Sequence, residues 1–257
     1  MPHDFTGQHV VITGGNMGLG AGVARGFLAA GADLTIIGLE PDVAEVAARW
    51  ADEFGRAVTG VTCDIADLDQ VAAMAAACGP LDVLVNNAGL ERITPIDDPS
   101  PEIDATFRQI TEVNIIGTFS VIRALLHKMR DGGRIVNTAS MWGKTAVAEF
   151  SAYCASKHAV IGLTRSLAQE LAPRGISVNA VCPGWVRTEA SMRSLAAMSA
   201  RTGRDEAALL DEIIGAQALP GLMEPTDMAD MYLFLASDAA RNITGQAFTV
   251  DRGELMQ

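Results

Sequence analysis

The sequence predicts an α/β fold: a doubly wound sheet of about seven parallel strands with helices on both faces. Three observations predict it. Short apolar runs rich in Val and Ile recur along the chain, nearly unbroken by polar residues, as strands buried on both faces must be. Longer stretches with helical periodicity lie between them, so strand and helix alternate. The length, 257 residues, suits one large domain spanning 1–257 and is short for two.

The elements are read in order. The strands are Val10 to Ile12, Leu34 to Ile37, Val58 to Thr62, Val83 to Val85, Ile135 to Asn137, Ser177 to Val181 and Phe248 to Val250. The helices are Leu19 to Ala30, Pro41 to Phe54, Leu68 to Cys78, Pro101 to Met129, Ala152 to Leu171 and Thr226 to Leu235. Gly31 and Gly55 supply left-handed caps, and Pro41, Pro101 and Pro225 mark helix starts. One stretch breaks the rhythm. After Val181 come Pro183-Gly184 and a Met- and Ala-rich segment, about 188–220, with no strand. An insertion at the C-terminal end of a strand belongs at the ligand crevice, so this segment is expected to be a partly helical substrate lid.

Composition narrows the function. Hydrophobic residues make up 49% and charged residues 19%, which is globular and not disordered. The net charge of −12 argues against nucleic acid or an anionic membrane as partner. Cys63, Cys78, Cys154 and Cys182 form no CxxC pair, so buried free thiols are expected, and no metal site is. No leader pattern or membrane-length apolar run is visible, so the expected location is cytoplasmic.

The first strand is followed at once by Thr13-Gly14-Gly15-Asn16-Met17-Gly18-Leu19-Gly20 and then a helix. Glycines there let the backbone turn sharply and approach a pyrophosphate, while the helix start offers free N–H groups and partial positive charge. Strand, glycine turn and helix together make a Rossmann-type dinucleotide site. With this Gly-x-x-x-Gly-x-Gly spacing the sequence resembles the short-chain dehydrogenase/reductase family, over about residues 5–253. Other pieces match in the family's order. Asp64, with Ile65 beside it, follows the third strand where the family sets an acid against the adenine. Asn86-Asn87-Ala88-Gly89 follows the fourth strand and is similar to the family's NNAG motif. Pro183-Gly184 follows the sixth, with Val186 and Thr188 where the family contacts the nicotinamide end. The end reads Asp251-Arg252-Gly253 where the family often has Asp-Gly-Gly, a change that could alter a turn or reach a subunit contact.

The second strand ends Ile37-Gly38-Leu39-Glu40. An acid there accepts hydrogen bonds from a ribose 2′-OH, and a base accommodates a 2′-phosphate. The resemblance puts Gly38 at the usual NAD aspartate and Leu39 at a frequent NADP arginine. Met17 likewise is not the Lys or Arg seen in many NADP enzymes. Glu40 is the nearest charge and repels phosphate, so NAD is expected over NADP; Glu40 also suits the start of the next helix.

Tyr153-Cys154-Ala155-Ser156-Lys157 puts Tyr153 and Lys157 on one helix face. That spacing alone is common in helices. A tyrosine hydroxyl titrates near ~10, and bringing it close to neutrality takes roughly 3–4 kcal/mol of differential interaction. A neighbouring ammonium, helped by the positive ring of an oxidised nicotinamide, is expected to supply it. By resemblance, Ser140 is the family's catalytic serine and Asn114 its helix asparagine. The implied catalytic set is Asn114, Ser140, Tyr153 and Lys157, with Tyr153 and Lys157 also touching the cofactor. Substrate-wall candidates are Glu91, Ser140, Met141, Trp142, Val147, Glu149, Tyr153, Trp185 and Met192, with Leu195 in the lid. An inward-facing acid among Glu91, Glu149 and Glu189 would suit an amine or sugar hydroxyls.

The expected function is hydride transfer between NAD(H) and a secondary alcohol, polyol or sugar hydroxyl or ketone. An NADPH-dependent ketoreductase of 3-oxoacyl type and a non-catalytic nucleotide-sensing protein are the alternatives. The family packs helices like those from Pro101 and Ala152 across subunit boundaries, so a homotetramer is implied.

Overall fold

The structure, a computed structural model, describes residues 3–256. Strands β1 (His9–Thr13), β2 (Asp33–Gly38), β3 (Val58–Thr62), β4 (Leu81–Asn86), β5 (Met129–Thr138), β6 (Ser177–Pro183) and β7 (Ala247–Val250) form one sheet in the order β3-β2-β1-β4-β5-β6-β7. Every pairing is parallel. After β1 the chain winds outward through β2 and β3. It then returns to place β4 on the other side of β1, so the strand order reverses between β1 and β4. A ligand crevice opens at the carboxyl ends of strands at such a reversal.

Both faces are covered. Helices α1 (Gly18–Ala29) and α2 (Val43–Phe54), with α9 (Ala229–Ala236), pack Phe27, Trp50 and Tyr232 against one face. On the other face, α3 (Leu68–Ala77), α5 (Thr118–Leu125) and α6 (Ser151–Leu171) bury Met74, Ile122 and Leu167. Strand residues serve both cores alternately: Val10 and Ile12 face one, Val11 the other. This explains the near-continuous apolar runs. The four cysteines are buried free thiols.

One sequence expectation needs correction. The helix expected over Pro101–Met129 is three pieces: α4 (Pro101–Thr111), a π-helical turn Glu112–Gly117, and α5, which stops at Leu125. The π turn carries Asn114, whose amide is held by groups on two other segments. A single-residue widening of a helix is a recurrent device at functional sites. Met129 opens β5, pairing with Leu81 ahead of a register shift in the β4–β5 ladder.

The segment after β6 forms α7 (Glu189–Thr202) and α8 (Glu206–Gly215). Thr188 caps α7: its Oγ1 accepts from Ser191 N at 3.1 Å, and Ser191 Oγ accepts from Thr188 N at 3.0 Å. Arg201 of α7 pairs with Asp97 at 2.5 Å and with Glu149. At the far end Arg252, in a left-handed conformation (φ 56°), donates to Pro220 O at 2.9 Å. The departure at Arg252 therefore fastens the chain's own 188–220 segment to the sheet's last strand. No helix among the described residues is long and apolar enough to cross a membrane.

Candidate active site

The glycine turn sits at the end of β1, where Gly14 and Gly18 both take left-handed φ (61° and 51°). Thr13 Oγ1 accepts from Asn87 N at 3.0 Å and Ala88 N at 3.1 Å, and Asn87 Nδ2 donates to Gly14 O at 3.1 Å. The motif after β4 thus locks the turn after β1. Gly20 allows the helix to close on the turn, since a Cβ there would lie 2.0 Å from Gly14 O. Met17, at the N-cap of α1, makes no side-chain cap bond. The first N–H groups of α1 therefore have no side-chain acceptor and suit a phosphate. Above Gly18 the nearest atoms to a built Cβ are Thr188 side-chain carbons at 3.7 Å, so the start of α7 roofs the turn.

A cleft of about 500 Å³ runs from this turn along the strand ends. At one end it is lined by Asn16, Gly38, Leu39, Glu40, Asp64 and Ile65. Asn16 lies over Gly38, where a Cβ would meet its Oδ1 at 2.5 Å. Asn16 Nδ2 donates to Glu40 Oε2 at 3.3 Å, while its Oδ1 is buried without a partner. At the other end lie Ser140, Met141, Trp142, Tyr153, Lys157 and Trp185.

Here the reactive groups converge. Ser140 ends β5 and caps a 3-10 turn through Met141–Gly143, its Oγ accepting from Trp142 N at 3.2 Å. The Ser140 hydroxyl faces the Tyr153 phenol. Trp142 meets Tyr153 edge-to-face at 6.0 Å and Trp185 at 6.1 Å, fixing the ring. Lys157 Nζ donates to Thr138 O at 2.8 Å and lies 5.5 Å from the centroid of the Tyr153 ring. Asn114 Oδ1 accepts from Leu90 N at 2.7 Å, and its Nδ2 donates to Leu90 O and Ser156 Oγ, each at 2.9 Å. Gly89 separates Asn114 from the lysine: a Cβ there would sit 3.3 Å from Asn114 Oδ1 and 3.4 Å from Lys157 Nζ.

Electrostatics differ from the expectation in one respect. Burial, then the Glu91 carboxylate, hold the Tyr153 phenol above its ordinary range, with the Ser140 hydrogen bond opposing. Burial pushes the Lys157 amine down to about 8, and Glu91 works against that shift. In this cleft desolvation dominates, and the phenol is held neutral.

Residues 14–254 match a family described as enoyl-(acyl carrier protein) reductase. Oxidoreductase UcpA of Salmonella typhimurium is 38% identical over 98% of this chain and 96% of its own. The chain belongs to the short-chain dehydrogenase/reductase family. Galactitol 2-dehydrogenase (L-tagatose-forming) of Cereibacter sphaeroides is 38% identical, covering 96% of this chain and 94% of its own. The crystal structure of L-sorbose reductase from Gluconobacter frateurii, complexed with NADPH and L-sorbose, superposes with a TM-score of 0.89 at 27% identity over the whole of both chains. As a member of the family, the chain is an NAD(P)-dependent oxidoreductase acting on hydroxyl groups.

Most of the residues expected to form the site line the cleft. Gly14, Asn16, Met17, Gly18, Leu19, Leu39, Glu40, Asp64, Ile65, Asn87, Ala88 and Gly89 do so, as do Pro183, Gly184, Val186 and Thr188. Glu91, Ser140, Met141, Trp142, Tyr153, Lys157 and Trp185 complete the set. Six do not line it. Gly20 faces the Gly14 carbonyl, and Asn114 is turned to Leu90 and Ser156. Val147 and Met192 pack behind the tryptophans, as Leu195 does. Glu149 has a left-handed backbone (φ 68°) and pairs with Arg201. Sequence reading missed Arg92, Gln109, Val113 and Arg193, which also line the cleft. Only Arg92 gave a signal, as the neighbour of Glu91 in a loop after a strand end.

Proposed function

We propose that the protein is an NAD-dependent dehydrogenase of a secondary alcohol, polyol or sugar hydroxyl, acting in reverse as a ketone reductase. The observation that carries this reading is one continuous cleft with the glycine turn at one end and Ser140, Tyr153 and Lys157 at the other. Galactitol and L-sorbose are polyol and sugar substrates of relatives, which supports the class.

The residues for the cofactor are Gly14 to Leu19 around its phosphates, Lys157 and Val186 near its nicotinamide half, and Asn16, Glu40 and Asp64 at its adenosine half. When bound, the nicotinamide exchanges a hydride with the substrate carbon and, oxidised, places a positive charge beside the phenol. The protein manages the proton. Ser140 donates to the substrate oxygen and fixes it against Tyr153. Tyr153 removes the hydroxyl proton in oxidation and returns it in reduction. Lys157, anchored on Thr138 O, stabilises the phenolate by charge and position. Asn114 holds the Leu90 backbone in place, which sets the wall opposite Lys157.

NAD is preferred because the adenosine end supplies acceptors and no cation. Glu40 and Asp64 are its only charged lining residues among those described, and the unpartnered Asn16 Oδ1 accepts a hydroxyl but repels phosphate oxygen. Asn16 fills the space over Gly38 and steadies the Glu40 carboxylate where a second-strand aspartate would otherwise stand. Glu40→Arg is expected to move the ratio of NADP to NAD affinity by ~10²-fold towards NADP. Fluorescence titration of both cofactors measures it, and an unchanged ratio removes Glu40 from cofactor choice.

The segment carrying α7 and α8 acts as the substrate lid, and the homotetramer is part of the same proposal. Exposed Phe107, Ile116 and Phe119 on the arm through α4 and α5 support a subunit contact there. Incubating the protein with NAD or NADP and a panel of alcohols, while following reduced nicotinamide by absorbance, tests the reading. Reduction of NAD by secondary alcohols supports it, and none with either cofactor refutes it.

A further inference from the structure

Two arginines line the cleft without a settled partner. Arg92 lies in the loop after β4, and Arg193 stands on α7. They enter from different walls, and each is close enough to Glu91 to act on its charge, as Lys157 is. Among the described residues Arg92 is in no ion pair. Its Nη1 donates to the Glu91 backbone carbonyl at 2.7 Å, which steadies the guanidinium and leaves most of its N–H donors unused. Arg193 has only Glu189 of its own helix, at 4.0 Å, with that carboxylate side chain 85% exposed. A pair so open to water holds an arginine weakly.

The chain does not lack acids to pair them. Its net charge is −12, and Arg201, further along α7, is paired with both Asp97 and Glu149. Glu91 does not fill the gap: burial raises its pKa against the pull of Lys157, Arg193 and Arg92, so it offers less than a full counter-charge. The two guanidiniums also work against each other. Burial, then the Arg193 charge, lower the Arg92 pKa. Like charges held together at a desolvated wall repel, and an anion between them relieves that cost. A guanidinium fork matches a planar carboxylate through two parallel N–H groups. The start of α7 adds little to the pair, because Thr188 Oγ1 already accepts from Ser191 N at 3.1 Å. A singly charged carboxylate suits two side chains acting alone better than a phosphate does.

We propose that Arg92 and Arg193 form a carboxylate clamp, so that the secondary alcohol oxidised here is a hydroxy acid or sugar acid held by its carboxylate. The clamp joins α7 to the loop after β4 across the substrate. This rests on the oxidoreductase reading above.

Two matched pairs of compounds isolate the carboxylate. D-gluconate and D-glucitol share their secondary hydroxyls and differ at one end. 2-Hydroxyisobutyrate and its amide have no hydrogen on the carbinol carbon, so they bind without being oxidised. Wild type is expected to favour gluconate over glucitol by ~10-fold or more in kcat/KM, mainly through KM, because a carboxylate remote from the reacting bond is held equally before and during the reaction. Calorimetry on the protein with NAD bound should show 2-hydroxyisobutyrate binding ~10-fold or more tighter than its amide. In Arg193→Gln and in Arg92→Gln both ratios are expected to fall by ~10-fold. Arg193→Lys, which keeps the charge and loses the fork, should fall between.

NAD titration by fluorescence separates the clamp from the cofactor's own anion. Its affinity is expected to change less than ~3-fold in each variant. Loss of NAD affinity with both ratios unchanged would assign the arginines to the pyrophosphate and overturn the proposal. Ratios near one in wild type, or unmoved in both variants, overturn it as well. A wild type that oxidises glucitol and refuses gluconate does the same, although the oxidoreductase reading then stands. If no alcohol reduces the cofactor, that reading fails, and the calorimetric ratio alone decides for or against the clamp.

Discussion

Tyr153→Phe is expected to lower kcat by ~10³-fold or more, within the range that a positioned acid–base group contributes. The ring keeps its edge-to-face contact with Trp142 and its place over Lys157, because the substitution removes only the hydroxyl. NAD affinity is therefore expected to change less than ~3-fold, since the hydroxyl is one contact among many. Steady-state kinetics and cofactor titration on the same preparation separate the two. The wild-type pH dependence follows from the same group. Burial and Glu91 keep the phenol protonated in the free cleft, so oxidation needs rising pH to create the base. Reduction needs the acid form and falls as pH rises. The Lys157 amine, pushed down to about 8, loses its proton below the pH at which the phenol of the free cleft ionises, so oxidation depends on the positive ring of bound oxidised cofactor to lower the phenol first. A Tyr153→Phe variant with wild-type rates, or with lost cofactor binding, contradicts this division of labour.

Gly20→Ala is expected to be the most damaging single methyl addition near the cofactor. The new Cβ would lie 2.0 Å from Gly14 O and 2.5 Å from Asn87 Nδ2. Both atoms belong to the junction that locks the turn after β1, and a backbone oxygen cannot swing aside. The helix start must move away from the turn, which costs about 1–3 kcal/mol by overpacking. At roughly 2–4 °C per kcal/mol for a chain of this size, Tm is expected to fall by ~5–10 °C. NAD affinity should fall by ~30-fold or more, because the first N–H groups of α1 lose their aim. Gly162→Ala is the control. That glycine lies inside α6, has open space around a built Cβ and does not take positive φ, so its Tm should hold or rise by a degree or two. Equal losses in both variants would show that the junction has no special tightness.

The strands inside the sheet were legible because they are buried on both faces, which leaves an unbroken apolar signature such as Val10 to Ile12, whereas the edge strands β3 and β7 are only partly buried. The glycine turn was legible because its spacing and its place between strand and helix are both in the sequence. Asn114's π turn was not. Its driving contacts are to Leu90 and Ser156, remote in sequence, and local periodicity reads straight through Glu112–Gly117 as α-helix. Glu149 looked like a substrate-wall acid from its place shortly before Tyr153 in the sequence, but its left-handed backbone and the Arg201 ion pair take it out of the cleft. The balance at Tyr153 was also hidden. An i, i+4 lysine can be read from sequence, whereas the desolvation that opposes it is a property of the folded cavity. Asn16 lay in the glycine motif, yet its place over Gly38 depends on the β1–β2 register.

The most direct measurement is isotopic. The protein is mixed with NAD and a secondary polyol deuterated at its carbinol carbons, and the cofactor is recovered for mass spectrometry. Reduced nicotinamide carrying one deuterium, formed by wild type and absent with Tyr153→Phe, is the predicted result. Reduced cofactor without deuterium, or none from NAD or NADP with any alcohol, would contradict hydride exchange at the Ser140, Tyr153 and Lys157 end of the cleft.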